Sequence, residues 1–131
     1  MAPRSACVLV VDDEEDIREA VREAVEMIGA TAITAANGAD ALELLRNQRP
    51  CLVVLDLIMP VMTGQEMLAA MRKDPMLATL RVLISTSAPS RAPSGVSVLP
   101  KPIDIERLWD WLRRSCRCGR ARAQRVHHAG F

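Results

Sequence analysis

The stretch Leu52-Val53-Val54-Leu55-Asp56 most narrowly limits what this chain can fold into. Four aliphatic residues without polar alternation run straight into one carboxylate. Such a run suits a strand covered on both faces, although a run this short fits buried helix as well. Pro50 before it, and Pro60 and Gly64 after it, favour a strand followed by a loop. Open α/β sheets bind their ligands outside the carboxyl ends of their strands. Asp56 stands at such an end.

Residues 6–11 form a second apolar run, which stops at Asp12-Asp13. The acidic residues 13–16 then suit the positive N-terminal end of a helix. Ile17, Ala20, Val21, Ala24, Val25 and Ile28 follow at the spacing of one buried helical face, and Gly29 occupies the stop position. Residues 31–35 read as a weaker strand, Asn37-Gly38 as a turn, and 39–49 as a helix with Leu42 and Leu45 inward. A third helix spans 64–73, with Met67, Leu68 and Met71 on one face and Asp74-Pro75 as its stop. Strands are expected at 80–85 and 96–99. A last helix runs from Ile105 to about residue 116, with Asp104 as N-cap and Ile105, Leu108, Trp109 and Leu112 facing in.

This alternation predicts an α/β fold: a doubly wound, five-stranded parallel sheet of flavodoxin-like order 2-1-3-4-5. One connection is too lean for it. Residues 88–95 hold two prolines and a glycine, which argue against helix, whereas a parallel crossover normally takes a dozen residues or so. The helix between strands 4 and 5 is expected to be reduced or absent.

A chain of 131 residues holds one domain of ordinary size. Residues 1–116 are assigned to it, and the arginine-rich residues 117–131 to a basic, disordered tail. With aromatic residues at 2%, the core must be aliphatic. A formal charge of +1 provides no global field for nucleic acid, and no aromatic platform accompanies the basic residues. No apolar run reaches membrane-spanning length, and the start carries no secretory pattern, so a cytoplasmic location is expected. Cys7 and Cys51 sit in strand-like runs as small reduced hydrophobes. Cys116, Cys118, His127 and His128 have poor spacing for zinc.

In the expected order, strands 1 and 3 are neighbours, so Asp12, Asp13 and Asp56 meet at their carboxyl ends. Three carboxylates in one cleft repel unless protonated or balanced by a cation. All-oxygen donors suit a hard cation, Mg²⁺ before Ca²⁺. Strand 4 supplies a hydroxyl, Thr86 or Ser87, and strand 5 supplies Lys101. A carboxylate nucleophile, a divalent cation, a hydroxyl and an ammonium together make a site for a phosphoryl group, with Asp56 as the in-line attacker.

The segments Val10-Val11-Asp12-Asp13-Glu14-Glu15-Asp16-Ile17-Arg18, Asp56 to Gly64 (D-L-I-M-P-V-M-T-G) and Lys101-Pro102 resemble the receiver domains of bacterial two-component response regulators. The resemblance covers residues 6–116. It implies that Asp56 is the phosphoacceptor, loaded from the phosphohistidine of a sensor histidine kinase or phosphotransfer protein. It implies Mg²⁺ held by Asp13 directly, by Asp12 through water, by Asp56 and by the backbone carbonyl of Ile58. Thr86 would be the switch hydroxyl, with Ser87 as the alternative because Ser87-Ala88 matches the family's hydroxyl-alanine pair. Lys101 would pair with the phosphoryl oxygens, and the Lys101-Pro102 bond would be cis.

Two departures accompany the match. The helix after strand 4 is expected to be missing or reduced to a turn, and Val98 stands where the family often has an aromatic residue coupled to the hydroxyl. The lost helix is expected to expose apolar surface that binds a partner or a second copy, with Trp111 as a possible anchor. Ile58 and Ala88, two residues beyond Asp56 and Thr86, cannot position an attacking water, so slow hydrolysis of the aspartyl phosphate is expected. The expected function is a single-domain response regulator that signals through phosphorylation-controlled protein interaction, with no enzymatic activity beyond its own phosphorylation and dephosphorylation. A Mg²⁺-dependent aspartate-nucleophile phosphatase competes with it, but that class wants D-x-D-x-T/V after its first strand, where this chain has Asp12-Asp13-Glu14-Glu15-Asp16. A pseudo-receiver scaffold that never takes phosphate is the third reading.

Overall fold

The structure, a computed structural model, describes residues 8–115. Its elements, in chain order, are β1 (Val8–Val11), α1 (Glu15–Met27), β2 (Ala32–Ala35), α2 (Gly38–Leu44), β3 (Leu52–Leu55), α3 (Gly64–Lys73), β4 (Arg81–Thr86), β5 (Ser97–Pro100) and α4 (Ile105–Ser115). All strand pairings are parallel, and the order is β2-β1-β3-β4-β5. This is the doubly wound sheet that the alternation requires. The tail, Cys7, and the Cys116, Cys118, His127 and His128 group lie outside the described residues.

The aliphatic runs form strands because both faces of the sheet are covered. β1 and β3, in the centre, are buried along their whole length. Strand side chains alternate between faces. Val8, Val10, Leu52, Val54, Leu83 and Leu99 therefore pack with Val21, Val25, Leu108 and Leu112 of α1 and α4. Leu9, Val11, Val53, Leu55 and Ile84 pack on the other side with Leu45 and with Met67, Leu68 and Met71 of α3. The Trp109 indole N–H donates to the Ala24 carbonyl at 2.8 Å, which fixes α4 against α1.

The helix ends follow local chemistry. Gly29, at φ 86°, terminates α1 in the left-handed region. Asn37 caps α2, its side chain accepting from the Asp40 N–H. That helix starts one residue earlier than expected and stops at Leu44, well short of Arg49. After Leu44 the chain tightens into turns, in which the Arg46 and Asn47 N–H groups reach back three residues to Glu43 and Leu44. Thr63 and Glu66 close a reciprocal capping box on α3. Asp104 Oδ1 caps α4 by accepting from the N–H groups of Glu106 and Arg107.

Between β4 and β5 there is no α-helix, only one 3₁₀ turn, Pro89–Arg91. Gln65 Nε2 donates to the Arg91 carbonyl at 3.0 Å and ties this turn to the first turn of α3.

Candidate functional site

Asp12 and Asp56 emerge side by side because their strands are paired in register, Val11 opposite Leu55. The Asp56 N–H donates to the Val11 carbonyl at 2.9 Å, continuing the ladder by one residue. The loop after Asp56 is then folded back tightly. Gly64 N–H donates to the Leu57 carbonyl, and a Cβ on Gly64 would stand 2.1 Å from the Asp56 carbonyl oxygen. Only glycine fits there, so Gly64 sets the path of the loop that flanks the carboxylate.

Asp12 and Asp56 are buried, at 3% and 6% exposure, while Asp13 is exposed. One carboxylate oxygen of each lies within 4.8 Å of the others. Like charges that close repel by about 3 kcal/mol per pair at an effective dielectric near 20. The cluster is partly balanced already. Lys101 Nζ donates to Asp12 Oδ2 at 2.8 Å, and it lies 3.6 Å from Asp56 Oδ1 and 3.7 Å from Glu14 Oε1. The backbone places it there: the Lys101 N–H bonds the Thr86 carbonyl at 2.9 Å, and the Lys101-Pro102 peptide is cis, as expected.

One ammonium does not neutralise three carboxylates. Burial pushes the Asp56 carboxyl above its usual range, and the charge of Asp12 pushes it further, while Lys101 and the Ile58 N–H oppose them. Burial would lower the Lys101 ammonium, but its hydrogen bond to Asp12 and the charges of Asp12, Asp56 and Glu14 hold it above its ordinary value. An all-oxygen cluster with excess negative charge fits a hard divalent cation.

The expected residues thus fall together at one end of the sheet. Thr86 ends β4 fully buried, its Oγ1 accepting from the Ala88 N–H at 3.0 Å, whereas Ser87 is exposed. Val98 sits in β5 opposite Ile84 and is half-buried. Ile58 is 54% exposed beside the site.

Four residues near the site carry structural roles that were not assigned from the sequence: Arg18, Val61, Thr63 and Glu66. Arg18 Nη1 donates to the Asp12 carbonyl at 2.8 Å, and its place one helical turn into α1 was the available signal. The T-x-x-E pattern at 63–66 already spelled the capping box. Val61, at φ 70° and 80% exposed, is a β-branched residue held in the left-handed region, and nothing in the sequence announces that.

The sheet order, the acid cluster at its carboxyl end and the lysine after the last strand define a receiver-type fold. Residues 8–113 match the family model of the response regulator receiver domain, and the chain belongs to that family. Among relatives, it is 33% identical over 111 residues to response regulator MprA of Mycobacterium sp. (strain KMS), covering 81% of this chain and 48% of that one. It is 43% identical over 67 residues to the probable transcriptional regulator ycf27 of Porphyra purpurea, covering 51% of this chain and 28% of that one. The chain therefore spans half or less of the length of these relatives. Among solved structures, chemotaxis response regulator CheY4 of Vibrio cholerae superposes with a TM-score of 0.76 at 31% identity, over 86% of this chain and 99% of that one. Receiver domains are in general signalling phosphoacceptors that work with histidine kinases or phosphotransfer proteins. Among the described residues, no helix is long and apolar enough to cross a membrane.

Proposed function

We propose that Asp56 accepts a phosphoryl group from the phosphohistidine of a kinase or phosphotransfer protein, and that the chain signals from the cytoplasm by phosphorylation-controlled protein binding. The observation that carries this is the position of Asp56. It is a buried carboxylate with a raised pKa, set between the acids Asp12 and Asp13 and the ammonium of Lys101.

In the transfer, an Asp56 carboxylate oxygen forms a bond to phosphorus as the bond from phosphorus to the imidazole nitrogen breaks. The electron pair leaves with the imidazole, which takes up a proton. Mg²⁺, held by Asp13, Asp12, Asp56 and the Ile58 carbonyl, would supply positive charge toward the phosphoryl oxygens. Lys101 would supply the second positive charge, turning from Asp12 toward the new group. The buried Thr86 is favoured over the exposed Ser87 as the responding hydroxyl. Its Oγ1 is held by the Ala88 N–H, and its own proton remains free to be donated. A turn of Thr86 toward the phosphoryl group would break that hydrogen bond and disturb the loop after β4.

Beryllofluoride titration with Mg²⁺, followed by NMR, tests this reading. It predicts saturable shifts at Asp56, Thr86, Ala88 and Lys101. Absence of binding would favour the non-phosphorylated scaffold instead.

A further inference from the structure

At the other end of the sheet from Asp56, the missing helix leaves a groove. It lies between the last turns of α3 and the first residues of β4 and β5, with a volume of about 250 Å³. Met71, Leu80, Val82, Val96 and Trp111 supply the apolar part of its lining, beside a larger share of polar atoms; Trp111 reaches it from α4, on the opposite side of the sheet. A parallel crossover normally covers this face with a helix. Here residues 87–96 make the connection with only the 3₁₀ turn, and that turn is tied to the first turn of α3, away from the groove.

The charges at the groove have one sign. Arg72 and Arg81 line it, both are exposed, and neither has a carboxylate partner among the described residues. Among the described residues, no acidic residue lines the groove. The nearby arginines of α4 are engaged, Arg113 with Asp110 and Arg114 over the Trp111 ring at 4.8 Å.

We propose that this groove seats an amphipathic helix of another protein, apolar on its inner face and acidic along its flanks, in place of the helix this chain lacks. Its apolar anchors would enter at i, i+3 or i+4, and i+7, and its carboxylates would meet Arg72 and Arg81. Two copies pairing through this face about a two-fold axis would set these arginines against each other. Residues 116–131 of the same chain have the wrong sign, with four arginines and no acidic side chain. The proposal stands apart from the phosphoryl chemistry.

The test uses the full-length, unphosphorylated chain and two synthetic helical peptides. One has leucines at i, i+3/i+4 and i+7 with glutamates on its flanks; its twin has lysines in place of the glutamates. ¹⁵N NMR and tryptophan fluorescence follow each titration. The expected result is saturable binding of the acidic peptide, with shifts at Met71, Val82, Val96 and the Trp111 indole. It should bind at least about tenfold tighter than the twin. The exposed double variant Arg72→Glu/Arg81→Glu should invert that preference. No saturable shift up to about 1 mM peptide, equal affinity for both peptides, shifts mapping elsewhere, or self-association of the chain through this face would each overturn the proposal. Because Asp56 is unmodified throughout, failure here leaves its phosphorylation untouched.

Discussion

Lys101 Nζ is bonded to Asp12 Oδ2 at 2.8 Å and stands farther, 3.6 Å, from Asp56 Oδ1. The lysine is thus held beside Asp56 by its neighbour, with a short distance left to cover when charge builds on Asp56. Lys101→Met would leave Asp12 buried without its cation. We expect a stability loss of about 2 kcal/mol by urea denaturation in divalent-free buffer, recovered in part by added Mg²⁺. Unchanged stability would show that the ion pair is idle.

Asp56→Asn should act in the opposite direction. The folded state raises the Asp56 pKa, so it favours the neutral carboxyl, and ionisation costs stability as the pH climbs. The variant and the wild type should be equally stable at acid pH, where Asp56 is protonated folded and unfolded alike. Their difference should open as the pH rises above the ordinary carboxylate value of 3.8 and level off above the raised folded value. At neutral pH without divalent cations, we expect Asp56→Asn to be more stable by about 1 kcal/mol, or about 4 °C in Tm. A difference independent of pH would exclude this account.

The sequence made much of this legible because the core strands announce themselves. β3 begins and ends where the aliphatic run does, and Asp12 and Asp56 directly follow strands whose ends such runs define. Chain order with the parallel rule then brought Asp12, Asp56 and Lys101 together without any long-range signal. The proline-rich stretch after β4 likewise announced the missing helix. Other features depend on packing that no local pattern records. α2 ends early because turns take over after Leu44, although apolar periodicity continues to Leu45. Lys101 sits closer to Asp12 than to Asp56, 2.8 Å against 3.6 Å, a difference that spacing along the chain does not give.

Val61 holds φ at 70° with its side chain 80% exposed. A β-branched residue is poorly suited to that conformation, and little packing is lost on replacing it. Val61→Asn should stabilise the chain by about 1 kcal/mol in chemical denaturation. A neutral or destabilising effect would mean that the loop adopts another conformation in solution.

The lifetime of the aspartyl phosphate should be long. Ile58 projects beside the site with an apolar side chain, and Ala88 offers only a methyl group. Neither can orient a water for in-line attack. Phosphoprotein decay after removal of the donor should take many minutes, and Ile58→Asn should shorten it. Decay within seconds would contradict this.

The most direct test of the phosphoacceptor assignment is intact-mass spectrometry after incubation with a phosphoramidate, a small-molecule mimic of phosphohistidine. The account predicts the gain of one phosphoryl group that requires Mg²⁺ and disappears in Asp56→Asn. No gain in the wild type, or the same gain in Asp56→Asn, would contradict it.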